Sequence, residues 1–304
     1  MQKTNKRKHD NSPNKKTKKK NPKEISSFNE PFPNHLRPTP EECELVRDSL
    51  LSLHGFPQEF AKYRKFGSGS GISSNTSRVN QIPKSEQLEE VENELEQRES
   101  VLDGLVNTLL SQNTTDANSR RAFASLKAAF PTWEDVLAAE SKYIEDAIKC
   151  GGLAVTKTSC IKNLLAGLFE KKGKLCLEYL RDLAVDEIKS ELSGFKGIGP
   201  KTVACVLMFN LQRDDFPVDT HVFRITKAIG WVPDSADRGK AYLHLNKRIP
   251  NELKLDLNCL LITHGKLCQR CSKKWNDQRS EPNITPSCPL ASHYCSTSNS
   301  KKCT

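Results

Sequence analysis

The segment Leu192-Ser193-Gly194-Phe195-Lys196-Gly197-Ile198-Gly199-Pro200-Lys201-Thr202 decides the fold. Before it, Val185, Ile188 and Leu192 recur at helical spacing; after it, Val203 to Leu211 form a short apolar run, so the glycines join two helices. Gly197 and Gly199 permit a positive φ and leave backbone N–H groups uncovered. Ile198 between them is expected to plug the core and fix the turn. Pro200 suits the first position of the next helix, whose unpaired N–H groups and dipole favour an anion. The expected product is a phosphate-gripping turn, able to hold a nucleic-acid backbone without reading bases. Taken alone, a G-x-G between helices is more often a plain loop, so the flanking sequence has to decide.

Outward from this turn almost everything reads as helix. Apolar stripes at helical spacing occupy Val101, Leu105 and Leu109, then Phe123, Leu126 and Phe130, then Ile161, Leu164, Leu165 and Leu168. Others follow at Val222, Ile225 and Ile229, and at Leu253, Leu257, Leu260 and Leu261. Thr132-Trp133-Glu134-Asp135 has the form of a capping box. Thr39-Pro40-Glu41-Glu42 offers an N-cap, a first-turn proline and acidic side chains at the positive helix end. With no strand of period two, the chain is expected to be all-α, about ten short helices in a two-lobed bundle. Residues 39–65 form an N-terminal helix packing on the C-terminal lobe, 66–83 a Gly/Ser-rich linker, 84–263 the core, and 264–304 a Cys-rich loop and tail.

The 304 residues suffice for one large domain or two small ones, and no apolar run approaches the ~18 residues of a membrane span. Charge is unevenly spread. Ten Lys/Arg against Asp10 and Glu24 give the first 25 residues +8 of the chain's net +10. Residues 1–38 are polar and Lys-, Asn- and Pro-rich, and are expected not to order themselves. The clusters Lys6-Arg7-Lys8 and Lys15 to Lys20 read as a nuclear address or a nucleic-acid-binding arm.

Past the hairpin the chain reads Phe216-Pro217-Val218-Asp219-Thr220-His221, and earlier it reads Leu109-Leu110-Ser111-Gln112-Asn113-Thr114-Thr115-Asp116. Together with Gly197-Ile198-Gly199-Pro200-Lys201-Thr202, these segments resemble the helix-hairpin-helix (HhH-GPD) DNA glycosylase superfamily. Within it the likeness is to the endonuclease III branch, which includes the DEMETER-like demethylases, and it covers residues 98–295. The resemblance implies base excision from duplex DNA, oxidised pyrimidines being the default of the branch, by a monomer without membrane partners. Lys201 and Asp219 fall on its two catalytic signatures, and Gly197 and Gly199 on its DNA-gripping turn. Gln112 or Asn113 would fill the gap left by a flipped nucleotide.

Chemistry independently needs such a pair. Cutting a glycosidic bond calls for a nucleophile at the sugar C1′ while positive charge develops there. An unprotonated lysine amine can attack and form a Schiff base. A carboxylate can stabilise the developing cation or take the lysine's proton. In this resemblance, members without the hairpin lysine only remove bases, so Lys201 implies a glycosylase that is also a lyase. The alternative is a non-catalytic helix-hairpin-helix module that holds DNA, with Lys201 an exposed lysine and Asp219 a helix cap.

Of 11 cysteines, Cys43, Cys150, Cys160, Cys176, Cys205 and Cys259 lie in or beside apolar segments and read as buried thiols. Five more, Cys268, Cys271, Cys288, Cys295 and Cys303, crowd the last 37 positions among polar residues, a pattern that suggests metal ligation. The resemblance implies a [4Fe–4S] cluster just after the pair His264-Gly265, on Cys268, Cys271, Cys288 and Cys295. The spacing C-x2-C-x16-C-x6-C departs from the branch's own, and a C-x2-C with a distant second pair also fits a tetrahedral zinc ion as the alternative. Either would pin the loop so that Lys266, Arg270, Lys273 or Lys274 can meet phosphates.

Overall fold

A computed structural model describes residues 30–64, 99–272 and 288–291. Among them there are eleven α-helices, a few 3-10 turns and no strand. In chain order the helices are α1 (Pro40–His54), α2 (Val101–Leu110), α3 (Asp116–Ala129), α4 (Trp133–Ala138), α5 (Ser141–Ile148) and α6 (Ala154–Lys172), then α7 (Val185–Ser193), α8 (Pro200–Cys205), α9 (Thr220–Ala228), α10 (Arg238–Arg248) and α11 (Asn251–Leu267). Their starts follow from local chemistry. Thr39 and Thr132 each close a capping box, and Ser100, Thr115, Asp219 and Asp237 cap with a side-chain oxygen.

The apolar stripes close into two separate cores. One gathers Leu105 and Leu109 of α2, Leu126 of α3, Ile144 of α5, Ile161 and Leu164 of α6, Leu192 of α7, and Ile198 of the turn. The other joins the two ends of the described chain: Cys43, Val46 and Leu50 of α1 pack with Val222 and Ile225 of α9, Leu245 of α10 and Leu257, Leu260 and Leu261 of α11, around the fully buried Trp231. Trp133 joins the first core. No described helix is long and apolar enough to cross a membrane.

Two expectations need correction. Residues 30–38, assigned above to a tail unable to order itself, lie folded on the second lobe. They have little apolar surface, and they dock by satisfying a basic helix end instead. Glu30 meets Lys247 and Arg248 at 2.8 and 2.9 Å, His35 Nε2 lies 3.0 Å from the Gly230 carbonyl, and Phe32 packs edge-on to His244. The single α-helix expected from Val203 to Leu211 instead ends at Cys205 and continues as a π turn, Val206–Asn210, closed by Leu211 N–H donating to the Val206 carbonyl (2.9 Å). Asn210 is drawn against α2, where a Cβ on Gly104 would stand 1.8 Å from its Nδ2, and Arg181 holds its carbonyl (3.0 Å). The basic stretch 1–29 and the linker 66–83 lie outside the described residues.

Candidate active site

The hairpin forms from tight backbone bonds. Phe195 N–H donates to the Leu192 carbonyl, and Ile198 N–H to the Phe195 carbonyl. Gly197 has φ +94°, and a Cβ there would stand 2.5 Å from Cys160 Sγ, so both backbone and space demand glycine. Ile198 is buried in the first core. Gly199 differs from the expectation: it is extended, with φ −93°, and caps α8 with open space where a Cβ would go. It therefore serves by leaving the turn uncovered rather than by unusual backbone geometry. Pro200 follows at the first helical position, and Lys201 stands exposed at the second.

Asp219 enters from the other lobe. Its Oδ1 accepts from Val222 N–H at 2.7 Å, which makes it the N-cap of α9 and fixes its rotamer. Lys201 and Asp219 line one cavity of about 1090 Å³ at the seam between the lobes. Cys205, buried on the same wall, feels both. Burial pushes its thiol up to about 11, the Lys201 charge pulls it down and the Asp219 charge adds to the rise.

Gln112 and Asn113 reach the same cavity from the loop after α2. Gln112 Nε2 donates to the Thr202 hydroxyl at 3.1 Å, which ties the early segment to the hairpin helix. Asn113 is exposed at the turn, with φ +52°. Behind them the buried Lys157 donates from Nζ to the carbonyls of Leu110 and Gly151 (2.7 and 2.9 Å), anchoring the end of α2. Burial holds its pKa below the usual lysine value. The apolar stripe of α6 gives no hint of this lysine cap.

Phe60 and Tyr63 were also missed. They pack on Phe209, with ring centroids 5.7 and 5.1 Å apart, and all three line the cavity. Two aromatic residues just beyond α1 were the available signal. Lys266, expected to meet phosphates, instead bridges the lobes to Asp116 at 2.5 Å. Gly265 lets α11 approach α9: a Cβ on it would stand 2.7 Å from His221.

At the end of α11, His264, Cys268, Cys271 and Cys288 bring their donor atoms within 4.8 Å of one another. Three expected thiols meet here, His264 joins them, and Cys295 lies outside the described residues. Burial opposes a charged imidazole at His264, yet the Cys268 and Cys288 sulfurs override it and lift its pKa to about 9. Hydrogen bonds from Cys271 and Cys288 hold the Cys268 thiol far below its ordinary range. Such a thiol-rich cluster is of the kind that zinc or iron–sulfur groups occupy.

The HhH-GPD superfamily base excision DNA repair model matches residues 106–251. An Arabidopsis thaliana relative, "Putative DNA glycosylase At3g47830", is 61% identical over 87% of this chain and 88% of its own length. The Arabidopsis DNA glycosylase/AP lyase ROS1 is 33% identical over 52% of this chain, which spans only 12% of that protein. Endonuclease III of Sulfolobus acidocaldarius is 29% identical over 54% of this chain and 75% of its own. A solved non-covalent endonuclease III–DNA complex shares the fold at a TM-score of 0.50 and 23% identity, covering 69% of this chain and 94% of that one. The chain belongs to the HhH-GPD superfamily of base excision DNA repair proteins. Within it, the chain stands among the DNA glycosylases.

Proposed function

We propose that this DNA glycosylase is bifunctional, removing a base from duplex DNA and then nicking the strand through a Schiff base on Lys201. The observation carrying this reading is that Lys201 and Asp219, from different lobes, line one cavity. The Asp219 carboxylate takes a proton from the Lys201 ammonium. The freed amine lone pair attacks C1′, the glycosidic bond breaks, and the base leaves with the bonding electrons and gains a proton. Opening of the sugar ring gives an iminium on Lys201. Loss of a C2′ proton then expels the 3′ phosphate, and water hydrolyses the imine to free the amine. Asp219, held by its cap bond, also stabilises the cation at C1′.

The turn at Gly197 and Gly199 grips the phosphate backbone in this reading, and Gln112, with Asn113 beside it, fills the gap left by the flipped nucleotide. The aromatic wall of Phe60, Tyr63 and Phe209 suits a flipped base, with a modified pyrimidine as the proposed class. The name of the relative ROS1 couples glycosylase with lyase, which favours the two-step reading. The protein acts as a monomer, and its basic N-terminal tail directs it to the nucleus. The thiol cluster is a structural metal centre, for which a [4Fe–4S] group and a zinc ion are the two candidates.

Borohydride reduction during turnover tests the mechanism, because it converts the imine into a stable protein–DNA adduct. Wild-type protein is expected to give the adduct on a duplex carrying one oxidised pyrimidine, and Lys201→Ala to give none. Normal trapping by Lys201→Ala would overturn the assignment. Base release without strand cleavage by wild-type protein would reduce it to a monofunctional glycosylase.

A further inference from the structure

We infer that His264, Cys268, Cys271 and Cys288 form a tetrahedral site for one zinc-class divalent ion, with Cys295 outside the ligand set. Cys271 Sγ lies 3.7 Å from Cys288 Sγ, and Cys288 Sγ lies 3.4 Å from His264 Nε2. Around one tetrahedral zinc, with Zn–S about 2.3 Å and Zn–N about 2.0–2.1 Å, sulfurs stand about 3.8 Å apart and sulfur and nitrogen about 3.5 Å. These two of the six donor–donor edges match those values, and the other four stay within 4.8 Å. A cubane binds each thiolate to a different iron, which spreads the sulfurs to roughly 6 Å. The present set, whose donors all fall within 4.8 Å, does not fit that spread.

Four further observations belong to a built site. His264 is fully buried, and Cys271 and Cys288 are 3% and 8% exposed. His264 and Cys268 stand one helical turn apart at the end of α11, and the Cys268 N–H donates to the His264 carbonyl (2.8 Å). Arg224 Nε holds the Cys271 carbonyl at 2.8 Å. Most telling is the far side of the imidazole. With Nε2 facing the sulfurs, His264 Nδ1 lies 2.9 Å from His54 Nε2. A metal-bound histidine regularly engages its second nitrogen in this way, which fixes the tautomer that leaves Nε2 free to ligate. His54 ends α1, so the ion would fasten the N-terminal helix, α11 and residues 288–291 at one point. This inference stands apart from the lyase reading, since none of the four donors lines the cavity.

The test is metal and sulfide analysis of the full-length protein, purified anaerobically from cells supplied with both iron and zinc. About one zinc ion per chain without acid-labile sulfide is expected. About four irons with matching sulfide would overturn the proposal, and so would metal-free protein. Cobalt exchange then identifies the donors. His264→Cys is expected to keep one ion and to shift the cobalt d–d bands, as a nitrogen donor gives way to sulfur. Cys295→Ser is expected to leave both metal content and spectrum unchanged. Loss of the metal in Cys295→Ser, or an unshifted cobalt spectrum in His264→Cys, would exclude the four-residue set. The wild-type metal count decides between one ion and a cubane even if a variant fails to fold.

Discussion

The two lobes solve the same packing problem with different chain economies. The first is nearly contiguous, with a core built from residues between Val101 and Leu211. The second is stitched from residues 32–51 and 208–291, so its closure spans most of the chain. Closing so long a loop costs little more than closing a moderate one, but it must be offset by contacts made late in the chain. Those contacts are specific: α1 lies along α11, His54 meets His264, and Glu30 clamps the end of α10. The cavity lies where the lobes meet and takes Lys201 from the first and Asp219 from the second. Neither lobe alone carries the proposed reaction.

The largest expected effect breaks the pair across this seam. Asparagine caps a helix about as well as aspartate, so Asp219→Asn should melt like wild type. Without the carboxylate, single-turnover base release should fall about 100-fold or more. Asp219→Ala should lose that activity and also about 1 kcal/mol of stability through the missing cap. Wild-type cleavage by a well-folded Asp219→Asn protein would show that the second lobe supplies no catalytic group.

A smaller effect separates the two hairpin glycines within the first lobe. Gly197→Ala combines a left-handed φ of +94° with a 2.5 Å approach to Cys160 Sγ, and should destabilise by about 1–3 kcal/mol. Adding Cys160→Ala should recover the steric part and leave the backbone part. Gly199→Ala has an extended backbone and nothing within 4 Å, so its melting temperature should hold. Its added methyl would sit over the exposed turn, so DNA affinity should fall instead. Equal destabilisation of the two variants, measured by denaturant unfolding, would contradict this division of labour.

The same contrast explains how much could be read from the sequence. The first lobe was legible because its determinants are local: stripes at helical spacing, the capping box at Thr132, and a hairpin whose glycines and proline lie side by side. Lys201 and Asp219 stood out because each occupies a short, contiguous motif. What escaped was information carried between distant positions. The lysine cap of Lys157, the aromatic wall of Phe60 and Phe209, and the pairing of Lys266 with Asp116 join residues whose sequence separation hides the contact. His264 was visible only as a neighbour of the first thiol, since a spacing rule written in cysteines has no place for an imidazole supplied by the preceding helix. Residues 30–38 misled for the same reason. Composition measures whether a segment can bury itself, and it is silent about a docking site formed over 200 residues later.

That stitched segment yields the smallest predicted effect. His244 is fully buried among Phe32, His35 and Glu30, with its Nε2 2.7 Å from the Arg37 carbonyl. Burial holds its pKa below the ordinary 6.5; His35 and Arg248 add to the depression, while the Arg37 carbonyl and Glu30 oppose it. As pH falls through 6.5, the unfolded chain binds a proton at this histidine before the folded chain does. Its contribution to stability is therefore complete above that pH and shrinks on acidification, at no more than about 1.4 kcal/mol per pH unit. His244→Gln should flatten the slope of unfolding free energy between pH 7 and 5.5. Hydrogen exchange should place the acid-sensitive opening in residues 30–38 and α10, with the first lobe protected. An unchanged slope in the variant, or opening that starts in the first lobe, would assign the acid sensitivity elsewhere and remove the distinction between a self-contained lobe and one fastened by the two ends of the chain.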